Sequence, residues 1–287
     1  MFNEILAIIN NSADKNFEEV CQSLNECVLS DKSFIDTLRE IGTIPECIAH
    51  DSTEEKLFSK ASDSVLARAF IELGLKSSVF QERGDSADVL AESKIFGYTF
   101  VADAKAFRLS RTAKNQKDFK ISALSAWRKD NDYAVLCSPY FHYPVKNSQI
   151  YSQALENNVC LISWEHLIFM IEHKIKESKK INLSEIWNFS NNFSHKVLVS
   201  DMKKNFLPEF DIFLTDLLKI EQENLDQSIL KQISVIKKRS DVEKNFWLKK
   251  IDIIKKYSRE QAISELIKTQ KIYEKINQIN TYVNNIL

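Results

Sequence analysis

Glycine and proline are scarce. There are four of each among 287 residues, under 3% together, where about 12% is usual. That shortage excludes glycine-rich phosphate loops in quantity, collagen-like sequence and long flexible linkers, and it favours helix. No GxGxxG and no P-loop occurs. Cysteine is sparse as well. Cys21, Cys27, Cys47, Cys137 and Cys160 are an odd set with no CxxC pair, which fits a reduced protein better than a disulfide framework or a zinc site. The five histidines show no HExxH spacing, and His166 with His173 reads as a helix surface. No basic stretch precedes the first apolar residues, and no window approaches eighteen apolar residues. Neither a signal peptide nor a membrane span is expected, and a cytoplasmic location follows. An excess of charge is also lacking. With 39 basic and 40 acidic side chains the net charge is −1, so attraction to a polyanion must come from a local patch.

What is present is ordinary globular material, 44% hydrophobic and 28% charged. The length suits one large domain or two small ones. Residues 1–50 read as amphipathic helices, broken at Pro45 and the polar run His50 to Thr53. A long helix follows, from Thr53 to Leu73. Ser52 and Glu55 have capping-box spacing, Leu57, Ala61, Val65, Ala69 and Leu73 recur every four residues, and Gly74 sits where a left-handed C′ residue belongs. The period then changes. Val79 to Arg83, Ala87 to Glu92 and Tyr98 to Phe107 read as extended runs punctuated by Gly84 and Gly97. Asp118 to Trp127 reads as helix, and Tyr133 to Cys137 and Val159 to Ser163 as short strands. A meander feeding a crossover predicts an α/β (α+β) mixed sheet with helices packed on it. From Glu165 onward the chain reads as helix, with Pro208 its only glycine or proline. Ser258 and Gln261 repeat the capping-box spacing, and Ile251, Ile254, Tyr257, Ile263, Leu266 and Ile267 form apolar stripes suited to packing and dimerisation. Cys137 and the four tryptophans read as core.

The chemistry concentrates between Gln81 and Lys120. Asp103-Ala104-Lys105 ends an apolar run, and in a strand residues i and i+2 share a side. A hairpin turning near Phe96 and Gly97 brings Asp88 beside Asp103. Two carboxylates (Asp88, Asp103), the Ala104 carbonyl and one ammonium (Lys105) then occupy a small volume. That set suits phosphodiester hydrolysis with Mg²⁺, which takes hard oxygen ligands. Chance alone gives roughly five acid-x-base triplets in such a chain, so the strand context and Asp88 carry the weight. Glu82 is a further carboxylate near this set, and Glu55 reads first as a first-turn cap.

Lys105, Arg108, Arg111, Lys114, Lys117 and Lys120 recur every three residues, with Asp118 the lone acid among them. A three-residue repeat drifts by about 60° per step on a helix, so this is not one solvated helical face. A loop entering a helix lays such residues along a phosphate backbone. Within it Asn115 offers bidentate contact to adenine, and Asp118 accepts from cytosine N4. Both also suit a helix cap.

The order helix, Asp88 strand, Asp103-x-Lys105 strand, helix, strand resembles the PD-(D/E)XK nuclease core. More closely, STEEKLFSKASDSVLA (52–67), GDSADV (84–89), VADAKAFRLSRTAKNQKDFK (101–120), DYAVL (132–136) and SWEHL (163–167) resemble the HindIII type II restriction endonucleases. The resemblance implies a homodimer that cuts double-stranded DNA at a palindrome like AAGCTT, using Mg²⁺. It places metal carboxylates on Asp88 and Asp103, the catalytic lysine on Lys105, a further catalytic acid on Asp118 and the DNA-binding segment on Arg111 to Lys120. It also implies a cognate DNA methyltransferase. Two departures are visible: Gln81-Glu82 stands where the family order is Glu-Gln, and Ala87 precedes Asp88 where proline is usual. The expected organisation is 1–50 N-terminal helices, 51–165 catalytic core and 166–287 helical region. A structure-specific resolvase or repair nuclease on the same core, and a DNA-binding module without catalysis, are the competing readings.

Overall fold

The structure, a computed structural model, describes residues 2–30, 32–80, 86–111, 116–144, 148–194 and 199–286. It divides into two compact units, 1–238 and 239–287. The first opens with three short helices, α1 (Phe2–Asn10), α2 (Phe17–Ser30) and α3 (Phe34–Glu40), then the long α4 (Thr53–Glu72). Ser52 caps α4 by accepting from the Glu55 N–H. The Glu55 carboxylate does not close the box on Ser52. It accepts instead from the Asp51 N–H at 2.7 Å and from Arg108. At the other end the Leu75 N–H reaches the Phe70 carbonyl at 3.1 Å and the Gly74 N–H reaches Ile71 at 2.9 Å, with Gly74 at φ +88°. This is a Schellman stop, as the glycine predicts.

That stop explains one correction. The first strand is β1 (Lys76–Val79), and only Val79 is shared with the expected Val79–Arg83. The chain turns straight from Gly74 into the sheet. Positions 81–85, with Glu82 and Gly84, lie outside the described residues. Next come β2 (Val89–Glu92) and β3 (Thr99–Ala104), then β4 (Tyr133–Ser138) and β5 (Val159–Ser163). The sheet order is β1-β2-β3-β4-β5. The first three strands are antiparallel neighbours and the last three parallel, so the expected meander and crossover are both present. Two short helices, α5 (Gln116–Phe119) and α6 (Ile121–Trp127), make the β3–β4 crossover. The single expected helix 118–127 is broken because Lys120 adopts φ +48°, left-handed backbone that ends one helix before the next begins. Between β4 and β5 runs α7 (Gln149–Glu156), which the sequence reading did not separate.

Ala134 to Cys137 of β4 and Val159 to Ile162 of β5 are all aliphatic or thiol and all fully buried, as parallel strands covered on both faces require. Phe70 of α4 meets Phe100 of β3 edge to face at 4.9 Å, and both meet Trp187. Such pairs add about 0.5–1.5 kcal/mol each beyond area burial. α4 is thereby pinned across the sheet strands that carry Asp88 and Asp103.

After β5 come α8 (Trp164–Glu172), α9 (Ser184–Trp187), α10 (Phe189–Ser194), α11 (Val199–Leu218) and α12 (Gln222–Ile254), and the second unit adds α13 (Arg259–Thr269) and α14 (Ile272–Ile286). The Ser258–Gln261 capping box forms in full. His166 is not on a helix surface. It is fully buried, its Nδ1 accepting from the Ser163 N–H and its Nε2 2.7 Å from Asp211. Trp164 and Trp187 are core, whereas Trp247 is 45% exposed. No helix among the described residues is long and apolar enough to cross a membrane.

Candidate active site

The β2–β3 hairpin builds the site. Ser93 turns it, its N–H donating to Tyr98 and its carbonyl accepting from Gly97, and Gly97 supplies φ +75°. The register pairs Val89 with Ala102. One step further, Asp88 stands across from Asp103, and the Asp88 carbonyl still accepts from Phe80 at 2.8 Å. The two carboxyl groups are close enough to shift each other's ionisation. Lys105 leans back on Asp103, its ammonium in contact with Asp103 Oδ2. Its backbone is clamped on both sides. The Lys105 N–H donates to Cys137 at 2.7 Å, and the Trp164 indole N–H donates to the Lys105 carbonyl at 2.9 Å. Trp164 reaches that far because Gly42 lies against it: a Cβ at 42 would stand 2.8 Å from Trp164 Cδ1.

α4 contributes two residues that sequence reasoning missed. Lys60 Nζ lies 2.6 Å from Asp88 Oδ1 and 3.2 Å from Asp63 Oδ2. Asp63 is buried. The available signal was an acid between Ser62 and Ser64 inside a run, Ala61 to Ala67, that is buried throughout. A charge on the core side of a helix is rare without a partner.

The electrostatics follow from this crowding. Burial first, then the neighbouring Asp88 charge, holds the Asp63 carboxyl well above the usual range. Burial also raises Asp103, to about 6, although Lys105 opposes it. Asp88 goes the other way: burial would raise it, but the Lys60 hydrogen bond and charge, with help from Asp103 and Lys105, hold it below its ordinary value. Burial would lower Lys60, and Asp63 and Asp88 together more than reverse that. Adjacent carboxyl groups shifted in opposite directions are a pattern that functional sites commonly show.

The basic segment is placed less uniformly than its spacing implies. Arg108 does not project along a surface. Its guanidinium binds Glu55 and donates to the Ile48 carbonyl at 2.9 Å, tying the end of the β3 segment to the start of α4. Arg111 pairs with Asp118 and lies over the Phe107 ring at 5.4 Å. Lys117 and Lys120 are exposed. Lys114 and Asn115 lie outside the described residues. The structure therefore brings together Asp88, Asp103 and Lys105, with Ala104 between the last two, while Asp118 is held by Arg111.

The sequence profile of the HindIII restriction endonuclease family matches residues 3–283. The chain belongs to that family. It is 45% identical over 285 residues to the type II restriction enzyme HindIII of Haemophilus influenzae, covering 99% of this chain and 95% of that protein. It is accordingly a restriction endonuclease, an enzyme that cleaves DNA. Enzymes of this kind generally need a divalent metal ion. Two solved structures of restriction endonuclease FokI, one of them bound to DNA, align over 63% of this chain at 14% identity, with TM-scores of 0.38 and 0.37. This chain spans about a third of FokI's length.

Proposed function

We propose that this endonuclease uses Mg²⁺ to hydrolyse both strands of a palindromic duplex site resembling AAGCTT, with Asp88, Asp103 and Lys105 as its catalytic centre. The observation that supports this most is the junction of three elements at one point: the entry to β2, the end of β3 and the residue just beyond it.

The residues fit a small hard cation. Asp103 Oδ2 is a buried oxygen in contact with the Lys105 ammonium, and the crowding of Asp63, Asp88 and Asp103 around Lys60 and Lys105 leaves the cluster short of positive charge. Asp88, Asp103 and the Ala104 carbonyl would hold the ion, an all-oxygen set of the kind Mg²⁺ takes alongside waters and a phosphate oxygen. When bound, the metal polarises the phosphate and lowers the pKa of a water. The chain's own part is positional. Asp103 fixes the Lys105 ammonium, and the clamps from Cys137 and Trp164 fix its backbone. Lys105 is thereby placed to orient the attacking water and to offset charge developing on phosphorus. Asp118 either reads a base or assists at that water.

Around this centre, Arg111, Lys114, Lys117 and Lys120 contact phosphates and Asn115 reads a base edge. A two-fold palindrome calls for a two-fold protein, so the enzyme acts as a homodimer. Its helical region offers exposed Leu248, Ile251, Ile254, Leu266 and Ile279. The residues divide in labour as 1–50 helices, 51–165 catalytic core and 166–287 packing and dimerisation. The enzyme works in the cytoplasm beside a DNA methyltransferase that protects the same site. Digestion of DNA of known sequence with Mg²⁺, followed by end mapping, tests the reading. Discrete fragments ending at one palindrome support it, and cleavage confined to branched junctions would transfer the core to a resolvase.

A further inference from the structure

Asp63, Asp88 and Asp103 do not close into a ligand cage as they stand. Among the described residues, the acid and histidine group whose ligand atoms lie within 4.8 Å of one another is His50, Asp51 and Glu55 on the surface. What separates Asp63 from Asp88 is the Lys60 ammonium, in hydrogen-bond contact with both. Lys60 and Asp63 are three apart on α4 and so share a face, and that face looks onto the entry to β2. We propose that Lys60 is a tethered counter-cation of the metal site, occupying the Asp88 oxygen that a divalent ion needs and leaving it when the ion binds. The proposal rests on the assignment of Asp88 and Asp103 as metal ligands.

Three observations support it. The 2.6 Å contact engages Asp88 Oδ1, and a Mg²⁺ ion bound to the same carboxylate at about 2.0–2.1 Å would repel an ammonium held against it. Lys105 already balances Asp103 on the far side, so Lys60 is the cation that stands for Asp88. Its side chain is 34% exposed, and a lysine stem has the freedom to move its charge toward solvent or toward an incoming phosphate. Asp63 then has a part as well: on the next turn of α4 it holds the ammonium close when Asp88 is taken. Metal and Lys60 are competitors, and the competition is reciprocal. Whatever Lys60 contributes to the metal-free protein it subtracts from metal affinity. The empty enzyme is thus stabilised at its own active site, and Lys60 is a positioning residue for the reaction.

The test is Mg²⁺ binding by isothermal titration to the full-length protein without DNA, so that nothing turns over. Lys60→Met keeps the stem and removes the charge, and it is expected to bind Mg²⁺ about tenfold more tightly than the wild type. Lys60→Arg restores a cation and should return affinity toward the wild-type value. In thermal melts, added Mg²⁺ should raise the melting temperature of Lys60→Met more than that of the wild type, because linkage scales with affinity. This melt also reports whether the variant is folded. Affinity for Mg²⁺ in folded Lys60→Met that equals or falls below the wild type would overturn the inference while leaving the metal site intact. If Asp88→Asn and Asp103→Asn do not weaken Mg²⁺ binding in either background, the metal-site assignment itself fails, and the inference with it.

Discussion

The Lys105 ammonium rests against Asp103 Oδ2, two residues back on the same side of the chain. One side chain thereby supports the lysine ammonium and, on the proposed assignment, would also be a metal ligand. Asp103→Asn removes the anionic ligand and loosens the lysine together. Cleavage should fall by orders of magnitude, at least ~100-fold, while binding to cognate DNA survives. Asp88→Asn should act similarly, and Lys105→Ala should cost rate more than metal affinity. Single-turnover cleavage beside a binding assay separates these effects, and near-normal cleavage by Asp103→Asn would remove it from the site.

Gly42 offers a test that alters no charge. A methyl there meets Trp164 Cδ1 at 2.8 Å and Pro139 Cγ at 3.1 Å. Trp164 must give way, and its indole N–H is the clamp on the Lys105 carbonyl. Gly42→Ala is expected to lose about 1–3 kcal/mol of stability and to slow cleavage with little change in DNA affinity. Denaturant titration and single-turnover rates read the two effects.

The pH dependence has a definite sign. Burial raises Asp103 to about 6 against the Lys105 charge. As pH drops below that value the carboxyl gains a proton and is lost as an anionic ligand. Cleavage should then decline by about tenfold per unit on the acid side. Folding responds oppositely. A carboxyl raised in the folded state contributes stability that is full below its ordinary value near 3.8 and is lost as pH rises through about 6. Without metal, Asp103→Asn should therefore melt higher than the wild type at pH 8, and the gap should close toward pH 4.

The basic segment should split into two kinds of residue. Arg108 is engaged with Glu55 and the Ile48 carbonyl, so Arg108→Ala should cost about 1–3 kcal/mol of stability by leaving a half-buried carboxylate unpaired. The exposed Lys117 and Lys120 should instead each flatten the slope of log K against log salt by about 0.9 when replaced by alanine, alike on every sequence. Asn115→Ala should cost about 1–3 kcal/mol on the cognate site and little on random duplex. Equal losses on both duplexes would show that Asn115 does not read a base.

Assembly is tested on the helical region. Paired charges at Leu248 and Ile251, both about half exposed, should shift light scattering from dimer to monomer. They should turn double-strand cuts into nicks while leaving the fold intact by circular dichroism.

Local sequence signals decided much of this protein. The Schellman stop at Gly74, the β2–β3 hairpin around Gly97, the strands Tyr133–Ser138 and Val159–Ser163 and the box at Ser258 all form where short-range patterning places them, because each depends on residues within a few positions of one another. The pairing of Asp88 with Asp103 was legible for the same reason: strand period and turn position fix a hairpin register. The tertiary structure alone decided the rest. That Lys60 and Asp63 join the cluster depends on how α4 crosses the sheet, which the packing of Phe70 on the sequence-distant Phe100 and Trp187 sets. That Arg108 serves as a strut depends on Glu55 arriving from another element. His166 is buried because Asp211, forty-five positions later, folds back to satisfy its imidazole. A charged side chain in sequence shows its chemistry but not its partner, and the partner determines whether it binds a phosphate, a metal or the protein itself.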